Sequence, residues 1–158
     1  MSFNEIYKAY WHKIFRLCMG YVNDFDQAQD LAQDTFIIIW QQLPNFRNES
    51  ALGTWIFRIA SNNCLRQIEK EKRFIKTGLP IQLKVEQQES IEPQIQLLYK
   101  YISELPEIDR IIISLELEDT KQSEIASITG LSEANIRVKI HRIKEKLSTK
   151  FKENGQSN

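Results

Sequence analysis

Aromatic, amide and basic side chains alternate along residues 51–74, where the spacing of apolar residues predicts a helix. One face of that helix would carry Trp55, Arg58, Ile59, Asn62, Arg66 and Glu69. Rings and apolar groups can stack on unpaired bases, an amide can hydrogen-bond to a base edge, and guanidinium groups can pair with phosphates. These residue types therefore indicate contact with partly melted DNA. For the basic end of the helix, Lys70, Lys72 and Arg73, a solvated helix terminus is an equal alternative.

A short polar turn precedes this helix. Pro44 is expected to end the helix before it, and residues 45–50 form the turn, which includes Phe46, Arg47, Asn48 and Ser50. An aromatic wall with nearby polar groups could offset the few kcal/mol that unpairing a base costs. A plain connection between helices, with Phe46 tucked into the core, is the alternative, and the residue types alone favour it.

The C-terminal third holds a second candidate for DNA contact. Its pattern predicts a short helix over residues 122–128, a tight turn in which Gly130 supplies the permissive backbone, and a longer helix over residues 133–151 capped by Ser132. This is a helix-turn-helix pattern.

The longer helix would have two different faces. The inner face is apolar: Ile136, Ile140, Ile143 and Leu147. The outer face holds Ala134, Val138, His141 and Glu145, flanked by Arg137 and Arg142. In a major groove Val138 could meet a thymine methyl group and Arg137 could reach guanine acceptors, while Lys139, Arg142 and Lys144 could neutralise phosphates. An amphipathic packing helix would explain the inner face, but not an outward valine among basic residues.

Four further helices would position these candidates. They are predicted at about residues 4–22, at 26–43 with Asp26 as a fair cap, at 95–105 and at 106–117, the last with Ile108, Ile111, Ile112, Leu115 and Leu117 on its inner face. In the second helix the core face comprises Ala28, Leu31, Ala32, Thr35, Phe36, Ile39 and Leu43. The solvent side comprises Asp30, Asp34, Ile37 and Gln41. Ile37 is either a stray exposed apolar residue or part of a partner surface. The fold class is therefore predicted to be all-α.

The charge is unevenly distributed along the 158 residues, although the net charge is zero. Residues 1–46 carry a net charge of −2, residues 47–76 carry +4, residues 77–120 carry −6 and residues 121–158 carry +4. Two basic blocks separated by an acidic one suit two DNA-facing modules joined by a segment of a different kind.

Several protein classes are disfavoured by composition. No stretch approaches the roughly 18 apolar residues of a membrane span, and the N-terminus lacks a secretory signal, so we expect a cytoplasmic protein without direct membrane insertion. Cys18 and Cys64 lack metal-ligand spacing and are expected to be buried small hydrophobes. Without a nucleophile–base pair, phosphate loop or metal cluster in the pattern, neither an enzyme nor a cofactor is expected.

Two segments resemble known regions of one protein family. Over about forty residues without a gap, the chain resembles region 2 of the bacterial sigma-70 family, specifically its extracytoplasmic-function (ECF) branch, through Asp30-Leu31-Ala32-Gln33-Asp34-Thr35-Phe36, Trp40, Leu43, Phe46-Arg47, Ser50, Thr54-Trp55-Ile56-Phe57-Arg58-Ile59-Ala60 and Asn62. The C-terminal part resembles sigma region 4 through Leu105-Pro106-Glu107, Ile125-Ala126, Gly130-Leu131-Ser132 and His141-Arg142-Ile143.

The resemblance implies a role for each surface. Docking on the clamp helices of the RNA polymerase largest subunit would involve Asp30, Gln33, Asp34, Ile37, Trp40 and Gln41. Capture of a flipped base and contact with the minus-ten element would involve Phe46, Arg47, Asn48, Ser50, Trp55, Arg58, Ile59, Asn62 and Arg66. Recognition of the minus-thirty-five element would involve Ala134, Asn135, Arg137, Val138, Lys139, His141 and Arg142. The family often has Gly-Thr at Ala134-Asn135 and Ser at Val138, so the promoter preference does not transfer.

The expected organisation is region 2 over residues 1–75, a linker over 76–94, region 4 over 95–152 and a polar tail over 153–158. The expected function is that of an ECF sigma factor, which binds core RNA polymerase, recognises promoter DNA and assists its melting. An anti-sigma factor is a further expected partner. The alternative is a helix-turn-helix regulator that does not itself initiate transcription. A helical signalling or enzyme domain with a DNA-binding tail would need a ligand pocket or catalytic constellation in residues 1–74, where none is visible.

Overall fold

The computed structural model describes residues 1–66 and 92–156, and every regular element in these ranges is helical. The elements are α1 (Phe3–Val22), α2 (Phe25–Gln42), a 3-10 turn (Leu43–Asn45), α3 (Leu52–Leu65), α4 (Pro93–Ser103), α5 (Glu107–Leu117), α6 (Gln122–Thr129) and α7 (Glu133–Gln156). The all-α class predicted from the sequence is confirmed. None of the described helices is long and apolar enough to cross a bilayer.

Capping side chains set the boundary between α1 and α2. Asn23 ends α1 in the left-handed conformation, with φ of 50°. Asp24 then caps α2, because its carboxylate accepts a hydrogen bond from the Gln27 amide at 2.8 Å. The predicted cap, Asp26, instead lies in the first turn of α2, two residues too late to act as its cap.

Aromatic rings and one buried amide join the first three helices. Phe36 of α2 is fully buried, and its ring centroid lies 5.0 Å from that of Tyr7 and 5.8 Å from that of Trp11, both in α1. Asn63 of α3 donates to the Leu31 carbonyl at 3.2 Å and to the Thr35 hydroxyl at 3.1 Å. Because both acceptors belong to α2, this amide fixes how α3 sits on it.

The helix-turn-helix follows the predicted pattern. Gly130 ends α6 with φ of 81°, and the Ser132 hydroxyl accepts from the Asn135 amide at 3.1 Å at the start of α7. The four predicted inner residues of α7 are all buried: Ile136, Ile140, Ile143 and Leu147. The helix continues to Gln156, five residues beyond the predicted end and into the expected polar tail.

Two details of α4 and α5 differ from the predictions. Helix α4 begins at Pro93, two residues before the predicted start, because the missing amide hydrogen of proline is not needed in a first turn. In α5, Leu117 was expected to face inward but is 51% exposed, while Ile113 is buried instead. Residues 67–91 lie outside the described residues. They include the predicted basic end of the third helix, with Glu69, Lys70, Lys72 and Arg73, and residues 76–91 of the predicted linker.

The two halves of the chain pack against each other. Helix α1 contacts α4 and α5, and α3 contacts α6. Ile102 and Ile113, from the second half, are buried in one apolar core with residues of the first half. Helix α3, which was predicted to contact DNA, is therefore a neighbour of α6, the first helix of the helix-turn-helix.

Candidate nucleic-acid interface

A cleft lies between the turn after α2 and the first turns of α3. The Phe46 and Trp55 rings form one wall, with centroids 4.7 Å apart and an angle of 31° between their planes. The cleft has a volume of about 540 Å³ and is lined by Asn45, Phe46, Arg47, Glu49, Ser50, Trp55, Arg58 and Ser127. Phe46 is half-buried against Trp55 rather than enclosed in the core. Two arginines and a ring pair thus border a space that could hold a planar, anionic ligand.

The outer face of α3 extends from this cleft. Ile59 is half-buried, whereas Asn62 and Arg66 are exposed. The neighbouring amide, Asn63, is only 3% exposed because it faces α2. Of the two adjacent asparagines, only Asn62 therefore has its side chain available to a ligand.

Arg58 joins the cleft to the helix-turn-helix. Its Nη2 donates to the Ser127 carbonyl at 3.2 Å and to the Ser127 hydroxyl at 3.0 Å. Ser127 belongs to α6 and lies 69 residues further along the chain, so no sequence spacing could have placed it in the cleft lining. Helix α6 thus borders the surface that was predicted to contact DNA.

The outer face of α2 is only partly as predicted. Asp30 and Gln41 are exposed, and Gln33, Ile37 and Trp40 are half-buried. The Trp40 ring packs edge-on against Phe3, with centroids 5.4 Å apart. Asp34 was expected on the solvent side but is only 9% exposed, which makes direct contact with a partner harder. It lies one helical turn after Asp30, which is exposed, so the two carboxylates differ although the wheel places them side by side.

The outer face of α7 is open to solvent. Its exposed residues are Ala134, Asn135, Arg137, Val138, His141 and Arg142, and Val138 is 45% exposed. An apolar side chain bordered by guanidinium groups can read a thymine methyl group while the cations hold phosphates.

Ion pairs with α5 occupy two of the lysines of α7. Lys139 Nζ lies 3.3 Å from the Asp109 carboxylate, and Lys144 Nζ lies 3.1 Å from that of Glu116. Both ammonium groups are partly neutralised within the protein, so they are weaker phosphate ligands than their positions on α7 suggested. Within α7, His141 also pairs with Glu145 across one turn, at 3.1 Å.

The cysteines are buried, as predicted. Cys18 and Cys64 are both fully buried, and their sulfur atoms lie 3.9 Å apart between α1 and α3. Across residues 1–66 and 92–156, no group of three or more His, Cys, Asp or Glu side chains is arranged to hold a metal ion.

Comparisons with known proteins cover both halves of the chain. Residues 6–74 match the profile of sigma-70 region 2, and residues 95–147 match that of sigma-70 region 4. The RNA polymerase sigma-H factor of Pseudomonas aeruginosa is 27% identical over 160 residues, which span 91% of this chain and 83% of that protein. The ECF RNA polymerase sigma-E factor of Escherichia coli K12 is 29% identical over 165 residues, with 94% and 86% covered.

Two solved structures share the fold. The sigma factor RpoE of Bartonella quintana, in complex with the anti-sigma factor NepR, superimposes with a TM-score of 0.73 at 23% identity and covers 95% of this chain and 96% of its own. CnrH, in complex with the cytosolic domain of CnrY, superimposes with a TM-score of 0.68 at 21% identity and covers 95% and 87%.

Proposed function

The chain belongs to the sigma-70 family, and we infer that it is an ECF-type sigma factor, which binds core RNA polymerase, directs it to promoters and assists their melting. The observation that carries this function is the presence of two modules in the order region 2, region 4. The chemistry of one surface on each module supports contact with DNA. A ring-walled cleft suits an unpaired base, and an exposed recognition helix suits a duplex groove.

Different surfaces would serve the different partners. Core polymerase would bind the outer face of α2 through Asp30, Gln33, Asp34, Ile37, Trp40 and Gln41. The minus-ten element would bind the cleft and the outer face of α3, and the minus-thirty-five element would bind the outer face of α7. The proposed domain limits are those expected from the sequence, except that α4 begins the second module at Pro93.

The protein would act through binding alone, in the cytoplasm, where polymerase and promoters are found. An anti-sigma factor is proposed as a further partner, because two proteins of the same fold were solved in complexes, one of them with an anti-sigma factor. Co-purification from the host of an antagonist that blocks transcription by this chain would test that partner. Recovery of only polymerase subunits would argue against it.

Run-off transcription tests the function itself. Core RNA polymerase of the host is incubated with a pool of genomic promoter fragments, with and without this chain. Discrete transcripts that require the chain are expected. A matched reaction with the region 4 segment alone, residues 92–158, controls for simple DNA binding.

A helix-turn-helix regulator that never starts transcription remains the second candidate, because α6 and α7 alone would suffice for it. That candidate predicts specific duplex binding without chain-dependent transcripts. It leaves the ring-walled cleft and the face of α3 without a role.

A further inference from the structure

The cations of α7 are of two kinds. Arg137 and Arg142 border Val138 on the outer face, and both are exposed. In the described part of the chain, neither guanidinium group forms an ion pair. Lys139 and Lys144, by contrast, are each paired with a carboxylate of α5. The cations beside Val138 are therefore open to DNA, whereas the two lysines are already occupied.

The two lysines lie at opposite edges of the buried isoleucine stripe of α7. This follows from the helical turn of about 100° per residue, which places Lys139 on one side of the stripe and Lys144 on the other. Helix α5 packs against α7, and its carboxylates Asp109 and Glu116 are seven residues apart, about two helical turns. One helix thus holds a lysine on each side of its contact with α7.

The pairs with α5 are partly shielded from solvent. The Asp109 side chain is 18% exposed and that of Glu116 is 21% exposed, and the lysine nitrogens lie 3.3 Å and 3.1 Å from them. Salt screens such partly buried pairs less than it screens exposed ones. The pair of His141 and Glu145 on the outer face is more open, with side chains 74% and 69% exposed. DNA would therefore have to break a shielded pair before it could use either lysine.

Free cations on several sides of a helix favour DNA binding without sequence selectivity. Non-specific affinity comes essentially from phosphate contacts, which carry no sequence information. A helix that lies loosely on DNA can shift until a free lysine meets a phosphate, whereas base contacts fix the position of a helix docked in the groove. Additional free lysines on α7 would therefore strengthen non-specific binding more than specific binding.

We propose that Asp109 and Glu116 are specificity-determining positioning residues for DNA recognition by α7. By holding Lys139 and Lys144, they keep two cations away from phosphates and confine the attraction for DNA to the outer face of α7. Neither carboxylate touches DNA itself, because each acts through its lysine. The inference rests on the proposed function, since it concerns the surface assigned to the minus-thirty-five element.

A double-mutant cycle tests whether Asp109 keeps Lys139 from DNA. The full chain is titrated with a short fluorescein-labelled duplex of random sequence, and fluorescence anisotropy gives log affinity against log salt concentration. Asp109→Asn should make the slope about 0.5–0.9 steeper, because one phosphate contact contributes about 0.9. Lys139→Ala should change the slope by less than half of 0.9 in the wild type, but by about 0.9 in Asp109→Asn.

Glu107→Gln is the matched control for the loss of charge. Glu107 is exposed in the same first turn of α5 as Asp109, and within the described residues it forms no ion pair. Its replacement removes the same charge but releases no lysine, so the slope should stay at the wild-type value. Equal changes in Asp109→Asn and Glu107→Gln would overturn the proposal. So would an effect of Lys139→Ala that is the same with and without Asp109.

Urea unfolding of each variant separates this role from a structural one. Ion pairs that only stabilise the packing of α5 on α7 would lower the free energy of unfolding when Asp109 is replaced. They would leave the salt slope of the folded fraction unchanged. A loss of stability in Asp109→Asn with a wild-type slope would therefore show that the pair is structural and overturn the proposal.

Selectivity is measured with a second duplex, which carries the upstream motif shared by the mapped transcription start sites. At about 0.1 M salt, each freed lysine that neutralises a phosphate should tighten binding about three- to eightfold. Asp109→Asn combined with Glu116→Gln should therefore bind the random duplex about tenfold more tightly than the wild type. The motif duplex should gain less, so the ratio of the two affinities should fall at least about threefold. An unchanged ratio, or no measurable binding to the random duplex, would overturn the proposal.

Failure of this inference and failure of the proposed function give different results. If the wild type never starts transcription, the sigma-factor function fails, and the cycle on random duplex still decides whether Asp109 keeps Lys139 from DNA. If transcription succeeds but Asp109→Asn leaves the salt slope unchanged, the positioning role is wrong and the function stands.

Discussion

Asn62 and Asn63 are adjacent in α3 and have opposite surroundings, so replacing each with alanine separates binding from stability. Asn62 is exposed, whereas Asn63 is 3% exposed and donates to Leu31 and Thr35 of α2. Asn62→Ala removes a surface amide and should change the free energy of unfolding by less than about 0.5 kcal/mol. Asn63→Ala removes two buried hydrogen bonds at about 1 kcal/mol each, so a loss of about 2 kcal/mol is expected.

For promoter opening, in contrast to stability, Asn62→Ala should have the larger direct effect. A base edge held by an amide is worth about 1–3 kcal/mol, which corresponds to a loss of about 5- to 150-fold in the equilibrium for opening the minus-ten element. Binding to core polymerase should be unchanged, because Asn62 lies on α3 and the proposed polymerase surface is on α2. Asn63→Ala should affect all activities together, and only as far as it unfolds the protein.

Urea unfolding followed by circular dichroism measures the change in stability. Opening of the minus-ten element is measured by the permanganate reactivity of unpaired thymines at a promoter found by run-off transcription. Unchanged opening in folded Asn62→Ala would show that the pocket is assigned to the wrong residues. A loss of stability in Asn62→Ala as large as that in Asn63→Ala would show that the exposed placement of its amide is wrong.

Three further predictions concern the second half of the chain. Arg137→Ala should cost about 1–3 kcal/mol of minus-thirty-five selectivity while polymerase binding stays intact, measured by competition between promoter variants; equal loss of both would make α7 purely structural. In binding of promoter duplex, Arg142→Ala should make the slope of log affinity against log salt concentration about 0.9 less steep. Lys139→Ala should change that slope by less than half as much, because Asp109 already neutralises this lysine. Equal changes in slope would mean that DNA displaces the ion pair. Burial raises the pKa of Tyr99, so its contribution to the free energy of unfolding is complete below about pH 10 and is lost as pH rises through the folded-state pKa. Tyr99→Phe should therefore lose less stability than the wild type as pH rises, measured by alkaline unfolding. Identical unfolding curves for the two proteins would contradict this.

Local sequence patterns predicted most of the elements and their faces. The apolar stripe of α7, the Ser132 cap and the left-handed Gly130 depend on residues within one or two turns of each other, so spacing alone reveals them. The burial of Cys18 and Cys64 followed from their small apolar character. Asp24 was missed as the cap of α2 because Asp26 is an equally good capping residue by type.

Contacts between segments far apart in the sequence could not be predicted from the spacing of residues. Arg16 and Glu118 are 102 residues apart, and many other cations and carboxylates could have paired with either. One signal was present in α5, where Ile111, Ile112, Ile113, Ser114 and Leu115 are consecutive and all buried. A helix that is apolar around its circumference is covered on every side. The second half supplies only part of that cover, and α1 and α3 supply the rest.

Asp34 of α2 illustrates the same limit. The wheel of α2 places it beside Asp30 and Ile37, but the packing of neighbouring helices leaves it only 9% exposed. A carboxylate position that looks solvent-facing in an isolated helix can therefore be enclosed by elements whose placement the helix itself does not encode.

Mapping the 5′ ends of the transcripts made by core polymerase with this chain tests the central claim most directly. An ECF sigma factor predicts start sites that share two sequence motifs, one about 10 and one about 35 positions upstream, and that disappear when the chain is omitted. Specific DNA binding without any chain-dependent start site would contradict the sigma-factor account and leave a helix-turn-helix regulator in its place.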